Sequence, residues 1–322
     1  MKRSHVRTLI FLALVLGWGA FARNPYHLQL LAVIGVHTLL ALGLNLLMGF
    51  AGQISLGHAA FYGIGAYASG VLTVHLGWSP WVAGPAALAL AAAVALVVGL
   101  PTLRLTGYYL GMGTLGFGMI VYVLFREWSG LTGGASGLVG IPPLCLGPIE
   151  LSSGRNGFWL IWLVVLANFL LCERLIDSRM GRALRAIHDS ERAAAAVGVD
   201  TARLKVMVFV LSAVMAALAG FLYAHMMSFI SPSSFDFMVS IRVVTMVVIG
   251  GMASVWGALF GAALLTMLPE WLHVFADYEM MVYGLILMVV MIFLPQGLTR
   301  GVMDLYERWQ RSLDRSRPSA QS

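Results

Sequence analysis

The chain has 322 residues, 60% of them hydrophobic and only 11% charged, with a mean hydropathy of +0.87. That composition excludes a soluble globular domain and leaves room for about eight to ten apolar spans of roughly 20 residues each. A formal charge of +6 raises nucleic acid as a partner. However, the basic residues gather at the N-terminal tip, one central segment and the C-terminal tail, as topology determinants and lipid contacts do.

The chain opens on Lys2-Arg3-Ser4-His5-Val6-Arg7 and an apolar run from Thr8 to Gly19. Ala20-Phe21-Ala22 offers a small-x-small cleavage pattern, but in a chain with many spans an uncleaved first span is the better reading. Six apolar stretches, near 8–22, 28–48, 54–76, 81–100, 107–125 and 157–174, precede the central polar segment. The third is interrupted by glycine. An even number returns the chain to its starting side, and both places are basic. Three further stretches follow, at 206–230, 239–268 and 279–295. The middle one is long and carries Gly250-Gly251, so it reads as two short or re-entrant elements meeting at the glycine pair. The count becomes ten helical elements, with both termini in the cytoplasm. The fold class is an all-α polytopic membrane protein. It forms a single transmembrane domain over 1–322, with an external Gly/Pro-rich loop at 128–157 and a tail at 301–322. The external loop reads as a folded irregular surface, not a helix. Cys145 and Cys172 fall on opposite sides of the membrane and so form no internal disulfide.

The central segment, 173–205, holds Arg174, Arg179, Arg182, Arg185, Arg192, Arg203 and Lys205, seven of the 20 basic residues. The positive-inside tendency places it in the cytoplasm. A first helix is expected from Arg179 to Ile187, with a break at Asp189 or Ser190. Ser190 suits an N-cap with Glu191 in the first turn, Ala193 to Ala196 continue a second helix, and Gly198 suits its left-handed C-terminal position. Asp200 or Thr201 caps the next membrane helix. Such tight capping of a narrow Ala-rich rod points to a surface gripped by a partner, in preference to a solvated connector.

Polar groups interrupt the third apolar stretch in Gly49-Phe50-Ala51-Gly52-Gln53-Ile54-Ser55-Leu56-Gly57-His58. In lipid such groups need partners within the bundle or in a wet cavity. Two readings stand: a broken helix lining a transport path, or ordinary hydrogen bonding between helices. None of the 14 acidic residues falls in the middle of an expected span. That disfavours a stand-alone carrier driven by protons or sodium. Arg242 is expected to snorkel to the interface or to pair with Asp236. There is no GxxxxGK[ST] loop, HExxH, GxSxG or Cys/His metal cluster, so the chain carries no ATPase, protease or hydrolase signature of those kinds.

Four segments together resemble one family. They are GLNLLMGFAGQISLGHAAFYGIGAYASGVL at 43–72, LTGGASGLVGIP at 131–142, GRALRAIHDSERAAAAVGVD at 181–200 and VVIGGMASVWGALFGA at 247–262. They resemble the permeases of high-affinity branched-chain amino acid ABC importers, and the external segment is similar to the M-type subunit. The resemblance implies an inner-membrane permease forming half of a translocation pathway. Its implied partners are an H-type paralogous permease, two ATP-binding subunits and a periplasmic substrate-binding protein. No cofactor is bound by this chain, and ATP is used by the partner subunits. The candidate coupling residues are Arg185, Asp189, Glu191, Arg192, Ala193, Ala194 and Gly198. The candidate pathway residues are Gly52, Gln53, Ser55, Gly57, His58, Gly250 and Gly251. The chain departs from the general importer loop at one place: counting back from Gly198, Arg192 stands where a glutamate is usual, with Glu191 beside it. Rival readings are the same machine with urea, short amides or aromatic acids as cargo, and a membrane enzyme using His58 or His225.

Overall fold

A computed structural model describes residues 24–272, except 103, 104, 106, 148 and 153, together with isolated positions outside that range. The expected first span, the last span at 279–295 and the tail lie outside the described residues. Helix α1 (Pro25–Asn45) starts at Asn24, whose side chain accepts a hydrogen bond from the Tyr26 amide, with proline in the first helical position. It continues into a π-helical turn, Leu46–Phe50. The chain then runs without helix through 51–57 and re-enters helix as α2 (His58–Val74). Next come α3 (Pro80–Thr102), α4 (Tyr108–Glu127) and α5 (Gly154–Asp177). Two short helices, α6 (Arg179–Asp189) and α7 (Glu191–Ala196), lead to α8 (Thr201–Met227). The hairpin of α9 (Phe237–Gly250) and α10 (Val255–Leu272) completes the described chain.

Six apolar helices among the described residues are long enough to cross a membrane. Two elements are shorter. At 1.5 Å per residue α2 reaches about 25 Å and α10 about 27 Å, less than the roughly 30 Å hydrocarbon layer, whereas the 3-10 turn before α9 extends that span to Pro232–Gly250. The glycine-rich stretches expected to break helices do so: one at 51–57, the other between α9 and α10.

Helix α1 is the axis of the bundle, since 78% of its most apolar window is enclosed by the other helices. It packs on α5, α8 and α10, while α8 packs on α2 and α3. Small residues allow the closest approach: Gly65 of α2 faces the Ala217 backbone, and Gly220 of α8 faces the Tyr62 carbonyl. One hydrophobic core runs through all of these helices. The bundle has two distinct ends. The π-helical turn meets α6 at the Arg-rich end. At the opposite end Gln29 donates to the Met227 sulfur, where α8 finishes.

The Gly/Pro-rich loop at that opposite end is more ordered than its composition suggests. It contains one helical turn (Ser129–Thr132), a 3-10 turn (Gly134–Ser136) and two antiparallel strand pairs. Strand β1 (Leu138–Val139) pairs with β4 (Phe229–Ile230), and β2 (Cys145–Leu146) with β3 (Ile149–Glu150). The β1–β4 pair ties this loop to the end of α8. Beneath it Tyr67 stacks on Phe125 with ring centroids 4.4 Å apart, and Phe235 closes edge-on over Tyr62 and Tyr67. Cys145 is exposed, Cys172 is buried, and both are free.

Candidate translocation and coupling site

The break between α1 and α2 lies inside the bundle. Gln53, Ser55 and His58 are 4%, 1% and 2% exposed. Neighbouring helices hold the backbone of this segment. The Leu56 amide donates to the Thr114 hydroxyl of α4 at 3.0 Å, and the Ala59 amide to the Ser240 hydroxyl of α9 at 3.0 Å. These hydroxyls serve N–H groups around the start of α2 that an intrahelical ladder cannot reach. His58 Nε2 lies 3.5 Å from Ser212 Oγ. Both side-chain polar atoms of Gln53 and the hydroxyl of Ser55 are buried without a hydrogen-bond partner among the described residues. Gly52 has φ +67, and a Cβ there would stand 3.0 Å from the His188 ring of α6. The break therefore touches the Arg-rich helices directly.

Those helices form as their capping residues require. Ser178 accepts from Met180 and Gly181 to open α6, and Ser190 accepts from Ala193 to open α7. Gly198 takes φ +84, and the amides of Gly198 and Val199 return to the Ala195 and Ala194 carbonyls. Asp200 accepts from Arg203 to start α8. Leu184, Ile187 and Gly181 form the buried stripe of α6. Arg185 is turned back onto the bundle, where its guanidinium donates to the Ile176 carbonyl at 2.6 Å. Glu191 is paired with Lys205 of α8 at 2.6 Å. Asp189, Arg192, Ala193, Ala195, Ala196 and Gly198 are exposed. Ala194 is not: it is 3% exposed and faces inward. Only part of the alanine run offers an outer surface.

The family described as "Branched-chain amino acid transport system / permease component" matches residues 26–291. That match takes in every helix described above and most of the chain. The chain belongs to this permease family. The permease is 36% identical to the LivM protein of the Escherichia coli high-affinity branched-chain amino acid transport system, over 82% of its own length and 67% of that protein. It is 27% identical to the LivH permease of the same species, over 81% and 90%. It is 28% identical to the autoinducer 2 import permease LsrC of Yersinia enterocolitica, over 91% and 82%. No solved structure matches it.

Within the permease, Gly250 and Gly251 are the turn of the α9–α10 hairpin. Gly250 lies against the Gly257 backbone, and a Cβ would overlap it. This pair packs the hairpin, whose turn lies against the π-helical turn at Gly49 that leads into segment 51–57. Sequence reasoning did not single out Asn45, which clamps the same turn. Its side-chain amide donates to the Ser254 carbonyl at 2.7 Å, and its oxygen accepts from the Ala253 amide at 3.0 Å. Ala253 is a non-glycine residue at φ +57, a conformation that needs outside support. Asn45 stood in the recognised motif, but its partners lie some two hundred residues away. Asn45→Ala is expected to lower stability by about 2–4 kcal/mol, because two backbone groups lose their partner. A thermal unfolding midpoint in detergent checks this.

Asp236 caps α9 by accepting from Val239, and no ion pair joins it to Arg242 among the described residues. Arg242 instead lines a cavity between α1, α9 and α10. His225 engages the Pro142 carbonyl at 2.7 Å. The Ser212 hydroxyl donates to the Gly43 carbonyl at 2.7 Å, away from His58. Neither histidine is thus arranged to activate a nucleophile.

Proposed function

We propose that this permease is one of two membrane subunits of an ATP-driven importer of branched-chain or related hydrophobic amino acids, and that its Arg-rich end faces the cytoplasm. The single observation that carries this reading is the contact of His188 with Gly52, which puts the short helices against the break in the bundle. ATP-binding subunits would grip the exposed Arg192, Ala193, Ala195 and Ala196 face. Their closure would push α6 and α7 and, through His188, shift segment 51–57 between outward- and inward-open arrangements. The buried, unpartnered groups of Gln53 and Ser55 are suited to a path that a zwitterion crosses without tight binding. The H-type paralogue would supply the facing half, a periplasmic binding protein would deliver the cargo, and ATP would be bound and used by the partner subunits. Both termini belong in the cytoplasm on this reading.

A second reading keeps the machine and changes the cargo. It is favoured by the likeness to a permease named for autoinducer 2 import. Ligand screening of a cognate binding protein separates the two.

The coupling reading is tested on the outer face of α7. Ala196→Trp is expected to reduce uptake to background and to lose the ATP-binding subunits on purification in mild detergent, while the chain still inserts. Wild-type uptake by this variant would refute the docking face.

A further inference from the structure

A second polar region lies away from segment 51–58. A cavity of about 380 Å³ opens between α1, α9 and α10. Its polar wall consists of Tyr26, Gln29 and His37 from α1, Arg242 from α9, and Thr266 and Glu270 from α10. His37 Nδ1 and Thr266 Oγ1 are 2.8 Å apart, which fixes the imidazole. The Tyr26 hydroxyl donates to Glu270 Oε2. The carboxylate is therefore oriented, yet keeps acceptor capacity.

Arg242 is the unusual member. It makes no hydrogen bond or ion pair with any described residue. It lies five residues into α9, about 8 Å along that helix, and its exposed side chain lines the cavity together with His37. A guanidinium within an apolar span is costly in hydrocarbon, and ionisable residues placed there mark sites where a polar species binds or passes. The cavity thus offers a five-donor cation and, toward the Tyr26 end, a fixed carboxylate. Leu30 and Val33 add an apolar wall.

We propose that this cavity binds a zwitterion, with its anionic group on Arg242 and its ammonium group on Glu270. Two-point recognition of this kind suits the planar fork of arginine, which takes a carboxylate or a phosphate by paired N–H donors. The volume fits a small molecule or one headgroup. Two sources share the chemistry: a free α-amino acid, and the headgroup of an ethanolamine phospholipid. The inference does not rest on the coupling reading, because it is read as binding and not as transport.

The test uses the full chain in phosphatidylcholine nanodiscs, whose lipid has no ammonium N–H to donate. In one arm the discs are doped with phosphatidylethanolamine, and retained lipid is measured by native mass spectrometry. In the other, L-leucine binding is measured by equilibrium dialysis. Arg242→Gln and Glu270→Gln are each expected to weaken binding about tenfold or more, since each removes a charged hydrogen-bonding partner. Arg242→Lys should lose less. Selective retention of phosphatidylethanolamine, lost in both glutamine variants, assigns the site to lipid; leucine binding lost in both assigns it to a free amino acid. Binding of neither ligand, or binding indifferent to both variants, overturns the proposal. Monodisperse elution and an unchanged unfolding midpoint establish that the variants fold. Glu270→Gln, which is nearly isosteric, carries the test if Arg242→Gln does not.

Discussion

Gly52→Val is expected to bring uptake to background while the permease still inserts and purifies at the wild-type level. Two effects act together. Gly52 occupies the left-handed region at φ +67, which costs a side chain with a Cβ roughly 1–2 kcal/mol, and a β-branched one more. Its Cβ would also press on the His188 ring at 3.0 Å. Valine cannot relieve both without moving either segment 51–57 or helix α6. The spans themselves keep their packing, because the described contacts of α1, α2 and α8 do not pass through Gly52. Radiolabelled uptake alongside quantified membrane insertion checks the result. His188→Ala separates the two effects: it removes the contact and leaves the backbone unstrained. On the proposed coupling reading, its expected outcome is ATP hydrolysis by the ATP-binding subunits with diminished transport. Full transport in Gly52→Val would remove the break from the mechanism.

Breaking the Glu191–Lys205 pair is expected to give an asymmetric result. The Lys205 side chain is 9% exposed and that of Glu191 is 39% exposed. Glu191→Ala strands a buried ammonium group, and removing one partner of a buried pair costs about 3–5 kcal/mol. Because Glu191 is partly hydrated, the lower end of that range applies here. Lys205→Met leaves a carboxylate that water can reach and adds an apolar side chain where the ammonium stem lay, so its cost is about 1 kcal/mol. The ordering follows from burial alone. Hydrogen exchange across 190–205 and uptake assays test it. Glu191→Ala should expose the amides of α7 and weaken coupling, whereas Lys205→Met should leave both near wild type. Equal effects would mean that Glu191 acts outward on a partner and not inward on α8. The pair also gives a physical account of the shifted motif. The carboxylate is spent on anchoring α7, and Arg192 is the side chain left at the surface.

Much of this could be read along the chain. The apolar stretches that fall among the described residues became helices within about five residues of their expected limits. The stretch at 239–268 divided at its glycine pair into α9 and α10. Every cap expected in the Arg-rich segment formed, at Ser190, Gly198 and Asp200. These features are local. An N-cap oxygen needs an amide two or three residues on, and a span needs only its own length and apolarity.

Other features depended on neighbours distant in sequence. Of the two roles expected for Arg242, the pairing with Asp236 drew on their closeness in the chain. In the bundle Asp236 turns to cap α9, while Arg242 faces α1 and α10. The alanine run reads as uniform, yet Ala194 is turned inward and Ala193, Ala195 and Ala196 outward. Which face of α7 is hidden depends on α8, to which Glu191 is tied.

By itself, the amino-acid sequence determined that this is a membrane bundle, where its helices start and stop, and to which family it belongs. Those properties come from composition, capping and motif, whose physics acts within a few residues. Only the tertiary structure decided that Asn45 holds the turn at 253–254, that His188 meets Gly52, and that Arg242 opens into a polar cavity. Each of these needs groups brought together from separate helices. Packing selects such neighbours through volume and polar satisfaction across the whole bundle, and no short-range pattern encodes them.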